Sequence, residues 1–212
     1  MDKKNEITAI KVPLKRPDRR SLYLDGKFAF SVSEGIFFLH NLKVGDCLTQ
    51  KQMVTLKADD DRYKISEAAY RLLGYRQRSV RELRIRLLQK GWESDEIEPV
   101  INELCEKGYL DDLEFARVFT RDKIKFKYLG PVALRNELFR TGVDKEIIEK
   151  VIDEAYSSKS PRELMLELLL KKRISLDKPM ENKEKIRLVN LLKRKGYRWE
   201  DIEPVISVIK TR

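Results

Sequence analysis

Two periods of apolar residues divide the chain. Over residues 1–60 the period is two. "EITAIKVPL" (6–14) alternates apolar and polar positions, and "SLYLDGKFAFSV" (21–32) sets two short β-type runs around Asp25-Gly26. Alternation marks half-buried strands, and Asp-Gly between two such runs is a strong signal for a two-residue hairpin turn. The pattern predicts a small antiparallel sheet with strands near 6–13, 20–24 and 27–32. A helix near Ser33–His40 and another from Thr49 to about Lys57 are expected next, with the charged run "ADDD" (58–61) as a junction.

From Tyr63 onward the period is helical. "SVRELRIRLLQKG" (79–91) opens with Ser79 and carries Glu82 three residues later, the spacing of a capping box. Gly91 is placed to end that helix in the left-handed conformation, with Trp92 packing back on it. "PVALRNELFRTGV" (131–143) and "EKIRLVNLLKRKGY" (184–197) have the same form, with Gly142-Val143 and Gly196-Tyr197 at the joint. After each glycine come a short acidic turn and a helix with an apolar pair: Val100-Ile101, Val151-Ile152 and Val205-Ile206. Before each lies another helix, near 65–74, 112–127 and 161–173.

The near-identical phrases "KGWESDEIEPVI" (90–101) and "KGYRWEDIEPVI" (195–206) are therefore read as a structural joint written again. Trp92 is read as a packing residue rather than a base-stacking platform. Pro99 and Pro204 are expected in a first turn, or to bend their helices, because an interior proline loses a backbone bond. The fold class that follows is mainly α: three tandem three-helix repeats (63–107, 108–158 and 159–212) behind a small N-terminal β-rich head (1–60). A single three-helix unit buries little core, and stacking neighbours covers the rest, so an elongated curved array is expected.

Composition narrows the function. Charged residues make up 38% of the chain and the net charge is +10, which favours a polyanionic partner. Cys47 and Cys105 stand far apart, with neither a disulfide framework nor zinc spacing. No apolar run is long enough to span a membrane and the N-terminus lacks a signal-peptide core, so a cytoplasmic, monomeric protein without a membrane partner is expected.

Catalytic chemistry finds little support. His40, the one histidine, sits in the apolar context "IFFLHNL" and is read as packed or hydrogen-bonded. There is no phosphate-binding loop signature, and no cofactor is expected. Asp111, Asp112 and Glu114 could hold a metal as in a nuclease, but Asp111 as a helix N-cap is the preferred reading.

Charge placement is more telling. Residues 71–90 hold Arg71, Arg76, Arg78, Arg81, Arg84, Arg86 and Lys90 against Glu82 alone, whereas residues 93–106 hold six acids and no base. The second unit concentrates Lys123, Lys125 and Lys127 beside Phe126 and Tyr128 and adds Arg135. The third adds Lys171, Lys172, Arg173, Lys193, Arg194 and Lys195, within a stretch (159–212) of 15 bases and 8 acids. A charge run is usually a solvated face. Recurrence at matched places in a repeat would instead line up a basic surface for a long polyanion. The candidate binding residues are Arg78, Arg81, Arg84, Arg86, Lys90, Lys123, Lys125, Lys127, Arg135, Lys171, Lys172, Arg173, Lys193, Arg194 and Lys195.

"RQRSVRELRIRLLQKGW" (76–92), "INELCEKGYLDDLEFARVF" (101–119) and "GPVALRNELFRTGV" (130–143) closely resemble the RecX family of bacterial regulatory proteins. The specific residues are Arg78-Ser79 with Glu82-Leu83, then Gly108-Tyr109-Leu110-Asp111-Asp112 with Phe115-Ala116, then Gly130-Pro131 with Glu137-Leu138. The resemblance covers about 63–212, is weakest in the third unit, and extends to the hairpin-bearing head, which resembles the N-terminal extension of longer members. It implies tandem three-helix units and a non-enzyme that binds along the groove of the RecA–single-stranded DNA filament. There it would limit filament growth, ATP hydrolysis, strand exchange and co-protease activity, in DNA repair, homologous recombination and the SOS response. It also implies weak direct binding to DNA. The alternatives are an autonomous helix-turn-helix-like DNA-binding protein, with base specificity of its own, and a nuclease. On the filament reading, reversing Arg81 and Arg84 to Glu is expected to abolish inhibition of the RecA ATPase.

Overall fold

The computed structural model describes residues 5–176 and 178–209. They divide into two compact units, one built from the residues up to Arg76 with Arg84–Glu106, the other from Gln77–Leu83 with the residues from Lys107 on.

The first unit holds the sheet. Strands β1 (Asn5–Lys11), β2 (Arg19–Leu24), β3 (Lys27–Ser33) and β4 (Cys47–Leu48) lie in the order β3-β2-β1-β4, all antiparallel. Asp25 (φ 49°) and Gly26 (φ 80°) make the predicted turn, and positive φ at both central residues is what a type I′ hairpin requires. Two-residue β4 is too short to show a period, and the pattern did not reveal it. Ile7, Leu22, Val32 and Ile36 of α1 (Glu34–Leu39) form a core with Leu42, Leu48 and Leu56.

The expected junction at 58–61 is not there. Helix α2 runs unbroken from Gln50 to Tyr75, started by a Thr49–Gln52 capping box. Its acidic run is tolerated because each carboxylate has a partner. Asp59 meets His40 Nε2 at 2.8 Å, and Asp61 meets Lys64 at 2.8 Å. Buried Asp60 accepts from the Ser33 backbone N–H (2.6 Å) and Arg19 (2.9 Å) and pairs with Lys64 (2.8 Å). The helix therefore serves the head with one end and the first three-helix unit with the other. That unit is completed by α3 (Val80–Leu88) and α4 (Ser94–Glu106), whose Ile97, Val100, Ile101 and Leu104 are buried. Pro99 is the sixth residue of α4 and Pro204 the sixth of the last helix, Trp199–Ser207, so neither adopts the first-turn placement.

The second compact unit holds α5 (Asp112–Asp122), a π turn (Lys123–Lys127), α6 (Pro131–Thr141), α7 (Lys145–Ser158), α8 (Pro161–Lys171), α9 (Asn182–Arg194) and α10 (Trp199–Ser207). Phe115, Leu134, Leu138, Ile148 and Val151 form one core, and Leu164, Leu168, Leu192, Ile202 and Val205 another. The three-helix pattern is thus repeated as read, with one irregularity: the predicted helix over 112–127 finishes as a π turn ending on left-handed Tyr128 (φ 52°).

The joint glycines share a role that periodicity does not reveal. Gly91, Gly142 and Gly196 all have φ between 79° and 97°. At the second joint Ser79 caps Glu82 N–H and donates its own hydroxyl to the Thr141 carbonyl at 2.6 Å. At the third joint the N-cap Gly130 donates to the Lys195 carbonyl at 2.7 Å, and Val132 donates to that of Gly196 at 3.1 Å. A Cβ on Gly142 would fall 2.0 Å from Arg81 Cδ, and one on Gly196 2.3 Å from the Ala133 nitrogen. The ends of α6 and α9 thus receive the starts of α3 and α6, the middle helices one unit earlier. Gly91, in the first unit, has nothing within 4 Å of such a Cβ among the described residues. Val143 and Tyr197 after the glycines are buried and Trp92 is half-buried, as their packing role requires.

Candidate nucleic-acid interface

The basic residues separate by what they touch. Arg84 donates to both carboxylate oxygens of Glu98 (2.6 and 2.9 Å), and Arg135 to both of Glu149 (2.7 and 2.6 Å). Each arginine lies seven residues before a joint glycine and each glutamate seven after it. The pairs lock the second helix of a unit to the third, in the planar two-point geometry that guanidinium and carboxylate favour. The bonds from Arg84 and Arg135 hold the Glu98 and Glu149 carboxyls below their usual range. In the third unit the corresponding residues are Val189 and Glu203, so the glutamate remains without that arginine.

Other candidates are also spoken for. Lys123 pairs with Glu137 and lies 4.4 Å from the Phe119 ring centroid. Arg81 spends its stem against Gly142, Arg86 donates to Gln89 at 3.0 Å, and Arg78 is half-buried. Of the expected binding residues, Arg84, Arg135 and Lys123 thus pair with glutamates, and Arg81 packs its stem against Gly142. Lys90, Arg173 and Arg194 are exposed, and Lys193 lies 5.3 Å from the ring of half-exposed Trp199.

Four lysines remain that the fold brings together. Lys195, before the third joint glycine, extends Nζ to the carbonyl of Lys127 at 2.5 Å. Lys171, at the end of α8, holds Nζ 4.9 Å from the Tyr128 ring centroid, with Lys172 beside it. Two phenols fix the turn: buried Tyr197 donates to the Tyr128 carbonyl at 3.0 Å and half-buried Tyr156 to that of Leu129 at 2.6 Å. Burial raises both phenol pKa values, so they remain donors. Desolvation, then Lys172, Lys127 and Lys171, push the Lys195 ammonium below its usual range. Among the described residues none of the four lysines forms an ion pair. Lys125 is exposed nearby in sequence, 5.3 Å from the ring of exposed Phe126. Like charges held together without ion pairs attract a polyanion, and aromatic rings beside them suit unstacked bases.

Two of the three carboxylates considered for metal have other work. Asp111 caps α5 by accepting from Leu113 (2.8 Å) and Glu114 (3.1 Å) N–H groups, and Asp112 accepts from the first N–H of α3, that of Val80, at 2.8 Å. Among the described residues no helix is long and apolar enough to cross a membrane.

A β-headed chain of tandem three-helix units places the protein in a class of helical-repeat proteins. The chain belongs to the RecX family of regulatory proteins. Family models for the RecX N-terminal domain, the first three-helix domain and the second three-helix domain match residues 5–49, 67–104 and 111–152. The chain is 31% identical over 195 residues to the regulatory protein RecX of Listeria monocytogenes serotype 4a (strain HCC23), covering 92% of this chain and 72% of that one. It is 28% identical to the regulatory protein RecX of Clostridium tetani, over 96% of this chain and 94% of that one. A crystal structure of RecX from Lactobacillus salivarius superposes with a TM-score of 0.61 at 25% identity, over 70% of this chain and 96% of that one. Another crystal structure of a regulatory protein RecX gives 0.71 at 24% identity, over 96% and 99%.

Proposed function

We propose that this protein binds the RecA–single-stranded DNA filament and restrains its recombinase, ATPase and co-protease activities, acting in DNA repair and the SOS response without a catalytic step of its own. Membership of the RecX family supports the regulatory role. The observation that carries the contact is the uncompensated cluster Lys127, Lys171, Lys172 and Lys195. Such a cluster gains on meeting phosphates, because ammonium repulsion is relieved and counterions leave the strand. The acids of α4, one of them tied to Arg84, fit a partner that presents protein surface as well as DNA. A monomer working in the cytoplasm completes the reading.

The test is RecA's DNA-dependent ATPase on single-stranded DNA, titrated with the full chain. Substoichiometric to stoichiometric inhibition is expected. No change in ATPase over that range refutes the proposal, and base-specific duplex binding without RecA would favour an autonomous DNA-binding protein.

A further inference from the structure

Beside the lysine cluster the second compact unit opens a cleft of about 500 Å³. Sites for small organic groups are of order 300–1,000 Å³, so one nucleoside-sized group fits. Thr120, Ile124, Tyr128, Val151 and Leu164 line it, and exposed Arg121 and Lys125 stand at its mouth.

Several features select the occupant. Ile124, Val151, Leu164 and the Tyr128 ring give the cleft an apolar, partly aromatic surface among charged and hydroxyl-bearing side chains, which suits a flat ring with polar edges. Thr120 is 2% exposed and its hydroxyl has no hydrogen-bond partner, an unusual state for a buried polar atom. The charges are unequal: Arg117 is tied to Glu154 at 3.0 Å and Lys159 to Glu167 at 2.5 Å, while Arg121 and Lys125 are left over. The net charge at the mouth therefore favours an anion. The π turn supplies Ile124 and Lys125 to the cleft and Lys127 to the cluster. Tyr128 belongs to both, lining the cleft and carrying Lys171 on its ring.

We propose that this cleft receives one unstacked base of a single-stranded nucleic acid whose phosphates lie on Lys127, Lys171, Lys172 and Lys195. The inference rests on the reading of that cluster as a nucleic-acid contact and adds a pocket to it. A duplex keeps its bases stacked and cannot fill the cleft, so single strands are preferred. An acidic protein segment matches Arg121 and Lys125 but offers no flat, polar-edged ring to the walls and Thr120.

Fluorescence anisotropy on the full chain decides the matter. The probes are a labelled oligothymidine and an abasic deoxyribose-phosphate strand of equal length. The base-bearing strand should bind at least about fivefold tighter, the low end for one stacked base. Ser158→Trp, at the exposed end of α7, should fill the cleft and bring the ratio close to one, leaving abasic-strand affinity and helix content unchanged. Ala155→Phe fills it from within and should do the same. Equal binding of the two strands by the wild-type chain overturns the proposal. So does a preference that survives both substitutions in folded protein. An oligoglutamate that displaces oligothymidine from the wild-type chain but not from the filled variants, with no base preference, assigns the cleft to protein instead. The RecA ATPase separates the two readings: inhibition without base preference removes the cleft alone, and base preference without inhibition removes the regulator alone.

Discussion

Arg84 and Arg135 each meet a glutamate through two hydrogen bonds, whereas Lys127, Lys171, Lys172 and Lys195 meet backbone, an aromatic ring and one another. Both groups are cations at matched places in a repeat, and a count of charges along the chain ranks them together. The difference lies in what the facing helix supplies. Where α4 and α7 bring glutamates, the cation becomes part of the unit's frame. The turn before α6 meets the ends of α8 and α9, where the charges acting on Lys195 are lysines and none of the four forms an ion pair among the described residues. The third unit marks the change: Val189 replaces the framing arginine, and its bases gather at helix ends instead.

The largest expected effect belongs to the most buried of the compensated pairs. Asp60 joins the sheet to α2 through Arg19, Lys64 and the Ser33 N–H. Asp60→Ala should cost about 3 kcal/mol in urea unfolding, because it leaves a buried guanidinium without its carboxylate. Burial opposes ionisation of Asp60, but hydrogen bonds from Lys64, Ser33 and Arg19 outweigh it and hold the carboxyl at about 2. The folded value lies below the unfolded one, so the stabilisation is complete above the unfolded carboxyl's range. It should fade as pH falls toward 2, by about 2 kcal/mol in total. A flat stability profile across that window in the wild-type chain would show that Asp60 is not so held.

The lysine cluster should behave in the opposite way. Lys171→Glu with Lys172→Glu removes repulsion around Lys195, so the melting temperature should hold or rise slightly. Affinity for single-stranded DNA should fall about tenfold or more, and the slope of log K against log salt should shrink by about 1.4 for the two lost cations. Unchanged slope would place the phosphates elsewhere.

Smaller still is the effect of the partly exposed framing pairs. Arg135→Ala should cost about 1 kcal/mol of stability and leave single-stranded DNA affinity within about twofold, as a solvent-screened pair does. Exchanging the partners, Arg135→Glu with Glu149→Arg, should recover much of that loss. If Arg135→Ala weakens DNA binding as strongly as the lysine reversal, the distinction between the two groups fails.

Much of the fold was legible because periodicity and glycine stops report local structure. Gly142 and Gly196 announced the left-handed joints, Asp25-Gly26 the hairpin, and Asp111 its cap. What lay outside reach was tertiary. "ADDD" looks like a linker until Arg19, Lys64, Ser33 and His40 are seen around it. The reception of Gly130 by Lys195 and Gly196 links residues far apart in sequence. The site was legible in residue type but not in residue choice. One signal of these pairs stands in the sequence: arginine seven before and glutamate seven after a joint glycine, in two units of three. That spacing foretells a pair between successive helices.

The decisive experiment is inhibition of RecA's single-stranded-DNA-dependent ATPase by three forms of the full chain: wild type, Lys171→Glu with Lys172→Glu, and Arg84→Ala. The lysine variant should need about tenfold more protein, or fail to inhibit, in line with its lost phosphate contacts. Arg84→Ala should inhibit within about twofold of wild type, as expected of a screened structural pair. Full inhibition by the lysine variant, with Arg84→Ala inactive though folded, would contradict the assignment of function to the uncompensated lysines.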